Sequence, residues 1–177
     1  MTPIFLIGYM GTGKTTLGRA MAKALGTEFI DLDWYIENRF HKSISEIFAE
    51  KGEDGFRDME RRMLHEAGEF ENTIISCGGG TPCFFDNMDF MNAHGTTVYL
   101  KADDNVLFRR LNIAKAKRPI LADKTDDELL SFIHNSVQQR EAFYNKAQHV
   151  FCSDHLESHR EINESVAELC SMLGLKQ

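Results

Sequence analysis

An apolar tetrapeptide followed at once by a glycine-rich loop dominates the start of the chain. Ile4-Phe5-Leu6-Ile7 has the length and composition of a strand buried on both faces. Gly8-Tyr9-Met10-Gly11-Thr12-Gly13-Lys14-Thr15 then spells G-x-x-x-x-G-K-[ST], and the stretch from Thr15 to Leu25 reads as a helix closed by Gly26. Strand, loop and helix in that order are the context a P-loop requires. The glycines let the backbone wrap so that several N–H groups and the helix N-terminus converge on one anion. Gly11, Thr12, Gly13, Lys14, Thr15 and Thr16 therefore form the expected triphosphate-binding set. Lys14 can reach the outer phosphates, and the Thr15 hydroxyl is placed to ligate Mg²⁺. The chain is expected to bind a nucleoside triphosphate.

With 177 residues the chain fits one domain around one core. Short apolar runs alternate with longer helical patterns, the signature of an α/β protein with a parallel sheet. Strands are predicted at residues 3–8, 28–32, 73–77, 96–100 and 148–152. A long helical insertion is expected at 34–70, interrupted by Gly52 and Gly55 before a second helix from about Phe56. A helix pattern runs from about Asp126 to Tyr144, and a last one over about 157–173 carries Ile162, Val166, Leu169 and Leu173 on one packing face. Ahead of both lies the basic stretch 112–124, where Pro119 interrupts a helix; it reads either as a solvated loop or as a lid over phosphates.

The net charge of −7 argues against nucleic acid as a partner, and no segment reaches the roughly 18 apolar residues of a membrane span. Nothing at the N-terminus resembles a signal peptide, so a cytoplasmic protein is expected. Cys77, Cys83, Cys152 and Cys170 show neither C-x-x-C nor zinc spacing and read as reduced, mostly buried thiols. The seven histidines form no ligand-like pattern.

Asp31-Leu32-Asp33 closes the second predicted strand, where ligands gather in open α/β sheets. Period-two alternation would put both acids on one side, one positioning the metal's water and the other taking a proton from a hydroxyl. The same residues could equally be a helix N-cap at Asp33 beside a solvated Asp31. In Arg57-Asp58-Met59-Glu60, Arg57 could fork onto a carboxylate with Glu60 bracing it, although by themselves the two look more like an exposed i,i+3 ion pair. Gly78-Gly79-Gly80 after the third strand favours close backbone approach to a ligand. Arg118 in the basic stretch is a source of positive charge for a transferring phosphoryl group, and Arg140 follows on the next helix.

In this order the motifs resemble the shikimate kinase family: the P-loop, Asp31-x-Asp33, Gly52-Glu53-x-x-Phe56-Arg57-x-x-Glu60, the triplet 78–80, Arg118-Pro119-x-Leu121 and Arg140-x-x-x-Tyr144. The resemblance spans nearly the whole chain, and G-E-x-x-F-R with G-G-G and R-P is far more specific than the P-loop. It implies a three-layer P-loop kinase fold, one domain over 1–177 with a five-stranded parallel sheet, a substrate-binding insertion at 34–70 and a lid at 112–124. It implies ATP-dependent phosphorylation of the 3-hydroxyl of shikimate, in aromatic amino-acid biosynthesis, by a monomer using Mg²⁺. Carried over, Lys14, Asp33 and Arg118 are catalytic, with Asp33 the base. Asp31 assists the metal through water beside Thr15. Asp33, Arg57, Glu60, Gly79 and Arg140 bind shikimate, with Arg57 and Arg140 on its carboxylate. Phe48 and Phe56 wall its pocket, Arg110 lies against adenine, and Arg118 reaches across the phosphates.

The lid departs from the family pattern in Ile120 and in the run Ala114-Lys115-Ala116-Lys117, neither of which touches the arginine. Val150 to Asp154 fit the family's adenine-side loop poorly, so no nucleotide contact is assigned there.

Other readings fit the sequence less well, a non-catalytic nucleotide-binding relative among them, against which the intact Lys14, Asp33 and Arg118 argue. A P-loop GTPase needs a D-x-x-G loop and N-K-x-D; no Asp here has Gly three residues on, and Asn145-Lys146-Ala147-Gln148 lacks the acid that reads guanine. A monophosphate kinase must cradle a second phosphate and a base, whereas two arginines and a glycine triplet suit a compact hydroxylated carboxylate.

Overall fold

A computed structural model describes residues 1–114, 121 and 123–176. Five strands form one parallel sheet: β1 (Ile4–Ile7), β2 (Glu28–Asp31), β3 (Thr73–Ser76), β4 (Thr96–Lys101) and β5 (His149–Cys152), in the spatial order β2-β3-β1-β4-β5. Each predicted strand is present, within two residues at its ends.

β1 holds the centre because it is buried on both faces. Phe5 and Ile7 point into one core layer, with Leu32 and Ile36 of α2 (Leu32–Phe40) and Leu64 of α3 (Ile44–Gly68). Ile4 and Leu6 point into the other, with Leu17 and Met21 of α1 (Lys14–Leu25) and Val166 and Leu169 of α7 (His159–Met172). Strand alternation thus divides one apolar run between two layers of helices. Each fully buried Leu, Ile or Phe contributes about 1.5–3 kcal/mol.

The insertion begins earlier than predicted: α2 follows β2 with no loop between them. The second helix, α3, starts at a capping box made by Ser43 and Glu46 and runs through a kink at Gly52, whose φ is 69°. Gly55 stays helical and breaks nothing. After β3 come a 3₁₀ turn (Thr81–Cys83) and α4 (Asn87–His94); α5 (Asp104–Ile113) precedes the basic stretch, and α6 (Asp126–Tyr144) follows a second capping box, Thr125 with Glu128. The predicted lid falls mostly outside the described residues, and Arg118 with it. Of the four thiols, Cys77 and Cys170 are buried, Cys83 is partly so and Cys152 is exposed. No described helix is long and apolar enough to cross a membrane.

Candidate active site

The carboxyl ends of β1, β2 and β3 open onto a cleft of about 500 Å³. Its floor is the loop between β1 and α1. Gly8, Gly11 and Gly13 take φ values of 141°, 84° and 86°, which side chains rarely allow. At Gly13 a Cβ would also come within 2.4 Å of Leu156, so this residue serves both backbone and packing. Gly13 is the N-cap of α1 and offers no side-chain cap, leaving the helix's first N–H groups for an anion. The Lys14 ammonium arches over the loop, donating to the carbonyls of Gly8 and Tyr9 at 2.8 Å each. Thr12 is buried and its hydroxyl donates to the Tyr9 carbonyl at 2.9 Å, so its side chain shapes the loop rather than facing a ligand. Thr15 and Thr16 line the cleft.

Asp31 and Asp33 both face the cleft, but not by strand alternation. β2 ends at Asp31, which is itself the N-cap of α2, accepting from the Trp34 N–H at 3.4 Å; Asp33 lies in that helix's first turn. Neither geometry drawn from sequence survives, because the strand passes into helix between the two acids. The other Asp31 oxygen accepts the Thr15 hydroxyl at 3.0 Å. That hydroxyl and carboxylate are hard oxygen donors beside the phosphate loop, and Mg²⁺ is usually held by one or two such protein groups plus phosphates and water. The donor set fits that ion. Asp33 opens to the cleft's solvent on one side and is walled by protein elsewhere. Desolvation, with the charges of Asp31 and Glu60, pushes its carboxyl up to about 6 against the pull of Lys14.

The glycine triplet forms the wall next to Asp33. A Cβ on Gly78 would lie 3.0 Å from the Asp33 carboxylate, one on Gly79 3.4 Å from the Arg140 guanidinium, and one on Gly80 2.5 Å from that of Arg57. Gly80 has ordinary helical dihedrals, so it is glycine for space and not for φ. Three consecutive residues therefore bring an acid and two arginines to one place.

Arg57 and Glu60 are not the exposed pair their spacing suggested. Their side chains are 12% and 1% exposed, and Arg57 donates to Glu60 at 2.8 Å. Helix α3 turns this face onto the loop after β3, where the Thr81 hydroxyl donates to the second Glu60 oxygen at 2.6 Å. Both oxygens of a buried carboxylate are thus satisfied. Phe48 and Phe56 pack ring to ring at 4.4 Å beside them. Arg140 lies over the Tyr9 ring at 5.5 Å, and Tyr144, one turn further along α6, donates to the Gly79 carbonyl at 2.6 Å.

Across the phosphate loop, Arg110 of α5 donates to the carbonyls of Gly11, Ser153 and Asp154 and pairs with Glu157 at 2.8 Å. It fastens the segment after β5 to the cleft, where Leu156 and Glu157 form part of the wall. Sequence reasoning missed those two residues, Thr81 and the role of Tyr144. The only sign of any of them was Tyr144's place in the Arg140-x-x-x-Tyr144 motif.

Known proteins match nearly the whole chain. The family model described as Shikimate kinase matches residues 10–171. A shikimate kinase of Phocaeicola vulgatus is 59% identical over 174 residues, which are 98% of this chain and 99% of that protein. The crystal structure of the Bacteroides thetaiotaomicron shikimate kinase superposes with a TM-score of 0.95 at 57% identity, covering 98% of this chain and 99% of that one. An Acinetobacter baumannii shikimate kinase solved in complex with shikimate gives a TM-score of 0.81 at 28% identity, covering 98% and 94%. The chain belongs to the shikimate kinase family.

Proposed function

We propose that the chain transfers the terminal phosphoryl group of MgATP to the 3-hydroxyl of shikimate, releasing shikimate 3-phosphate and ADP. One observation carries the reading: beside a phosphate loop, the triplet 78–80 gathers a proton-accepting carboxylate and two arginines, a pocket for a compact hydroxylated acid. The family match and the Acinetobacter baumannii relative solved with shikimate support the choice of acceptor.

In this reading the N–H groups of Gly11 to Thr16 and the Lys14 ammonium hold the phosphates, Lys14 exchanging its contacts to Gly8 and Tyr9 for phosphate oxygens. Thr15, and Asp31 through water, would hold Mg²⁺, which when bound neutralises phosphate charge. Asp33 orients the acceptor hydroxyl and takes its proton; a carboxyl near 6 is ionised at neutral pH yet basic enough to share that proton. Arg57 and Arg140 hold the substrate carboxylate, Glu60 keeps Arg57 in place, and the Gly79 backbone contacts the ring. Phe48 and Phe56 exclude water from that side. Arg110 supports the adenine side by fixing the 153–157 segment. The proposed role of Arg118, reaching over the phosphates from a lid at 112–124, concerns residues outside those described. Most of the rate comes from positioning and electrostatics, because phosphoryl transfer asks little covalent chemistry of a protein. One kinase domain, working as a cytoplasmic monomer, completes the proposal.

The test is ADP release from MgATP with shikimate, gluconate, a monophosphate panel or no acceptor. Release dependent on shikimate alone is expected. Release dependent on another acceptor would overturn the acceptor site and keep the phosphate loop.

A further inference from the structure

Two arginines of α3 each lie over a ring of one Phe-Phe pair. The Arg57 guanidinium carbon is 4.1 Å from the centroid of Phe84, and that of Arg61 is 5.4 Å from Phe85. Arg57 and Arg61 are four residues apart and so share a helix face. Consecutive residues of an extended chain point to opposite sides, so Phe84 and Phe85 could not both serve that face in a strand. The chain solves this with a left-handed residue: Phe85 has φ 51°, a conformation aromatic residues rarely take. The turn is secured from both ends. The Cys83 backbone N–H donates to the Gly80 carbonyl at 2.9 Å, the fully buried Asn87 side chain donates to the Thr81 carbonyl at 2.8 Å, and Asp86 pairs with Arg61 at 2.8 Å.

Arg57 is thereby covered on its guanidinium faces and paired at its terminal nitrogens, while its buried Nε has no hydrogen-bond partner among the described residues. Phe84 covers one face of its guanidinium, and the Phe56 ring lies at 5.1 Å. Glu60 takes one terminal nitrogen at 2.8 Å, and the other, for which Gly80 leaves room, has only the exposed Glu53 carboxylate at 3.7 Å. An arginine that must meet a carboxylate with two parallel hydrogen bonds benefits from having its plane fixed beforehand.

We infer that Phe84 is a positioning residue of the acceptor site: its ring, presented by the strained turn at Phe85, sets the plane of Arg57 for the substrate carboxylate. The inference rests on the reading of Arg57 given under Proposed function. Phe84 acts through Arg57.

Steady-state kinetics on wild type, Phe84→Leu, Phe84→Tyr, Arg57→Ala and the Phe84→Leu/Arg57→Ala double variant test it. Losing a desolvated cation–π contact predicts a rise in the shikimate KM of about 5- to 30-fold in Phe84→Leu. The KM for ATP stays within about twofold, and Phe84→Tyr, which keeps the ring, restores the wild-type value. In the Arg57→Ala background Phe84→Leu adds nothing. A Phe84→Leu effect of equal size with and without Arg57, or an equal rise in both KM values, overturns the inference while shikimate turnover by wild type leaves the proposed function standing. Absence of shikimate turnover by wild type overturns both. Should Phe84→Leu not fold, Phe84→Met is read by the same criteria.

Discussion

Asp33→Asn should make the protein more stable and nearly inactive at once. A carboxyl displaced from its ordinary 3.8 to about 6 marks an ionised form that the folded protein disfavours. Fully realised, a displacement of that size corresponds to about 3 kcal/mol. Asp33 opens to the cleft, where water screens Asp31 and Glu60, so about 1 kcal/mol is the better expectation. A group whose folded pKa lies above its unfolded value contributes stability that is present below the unfolded value, here 3.8. That contribution is lost as pH rises through the folded value, here about 6. Asparagine keeps the shape and removes the charge. Its gain should therefore be full at pH 8, about 2–4 °C in Tm for a chain of this size, and should fade as pH falls from 6 toward 4. Thermal unfolding of both proteins at pH 8, 6 and 4 measures it. Turnover by ADP release at pH 8 should fall by about 10²- to 10⁴-fold, the usual contribution of a general base. A variant less stable than wild type at pH 8, or one with the same gain at pH 4 as at pH 8, would refute the electrostatic argument. Normal kcat would remove Asp33 as base.

Lys14→Ala should abolish turnover with Tm shifted by no more than a few degrees, because the ammonium's protein partners are loop carbonyls at the cleft surface; turnover and unfolding curves together decide this. Arg140→Ala should raise the shikimate KM about tenfold or more and leave the KM for ATP near wild type, since a charge-assisted hydrogen bond contributes about 1.5–3 kcal/mol; selective loss of ATP binding would mean the residue serves the other substrate. Gly80→Ala should also raise the shikimate KM, because its Cβ would come within 2.5 Å of the Arg57 guanidinium while its backbone dihedrals suit alanine, so kinetics should change more than Tm does. Thr81→Val should cost about 1–3 kcal/mol in denaturant unfolding, as it leaves a buried Glu60 oxygen without its donor, and Thr81→Ser should restore it.

The strand, loop and helix at the N-terminus were legible because each is written in consecutive residues. The same holds for α6, whose bounds follow from a local capping box and a run of helix-compatible residues. The error at Asp31 and Asp33 has a local cause of a different kind. Their spacing carries opposite meanings in a strand and in a helix, and the boundary falls between them. Arg57 and Glu60 were misjudged for a third reason: i,i+3 spacing reports that two side chains meet, not whether water reaches them. Burial there depends on the loop after β3, which supplies Thr81 to Glu60 from 21 residues away.

That last case separates residues that act from residues that orient. Lys14, Asp33, Arg57 and Arg140 announce themselves by charge in a short motif. Thr81, Tyr144 and Phe84 look like ordinary loop or core residues, and their partners lie far along the chain: Glu60, the Gly79 carbonyl and the face of the Arg57 guanidinium. Each fixes a group that would otherwise sample several positions, and a misplacement of about 1 Å is enough to cost a reaction of this kind two orders of magnitude. The glycine triplet explains why they cluster where they do. By removing three side chains it lets charged groups from α2, α3 and α6 approach one another, and that crowding makes neutral hydrogen-bond donors and a flat ring the suitable supports. A further carboxylate there would push Asp33 still higher, and a further cation would compete with the arginines for the substrate.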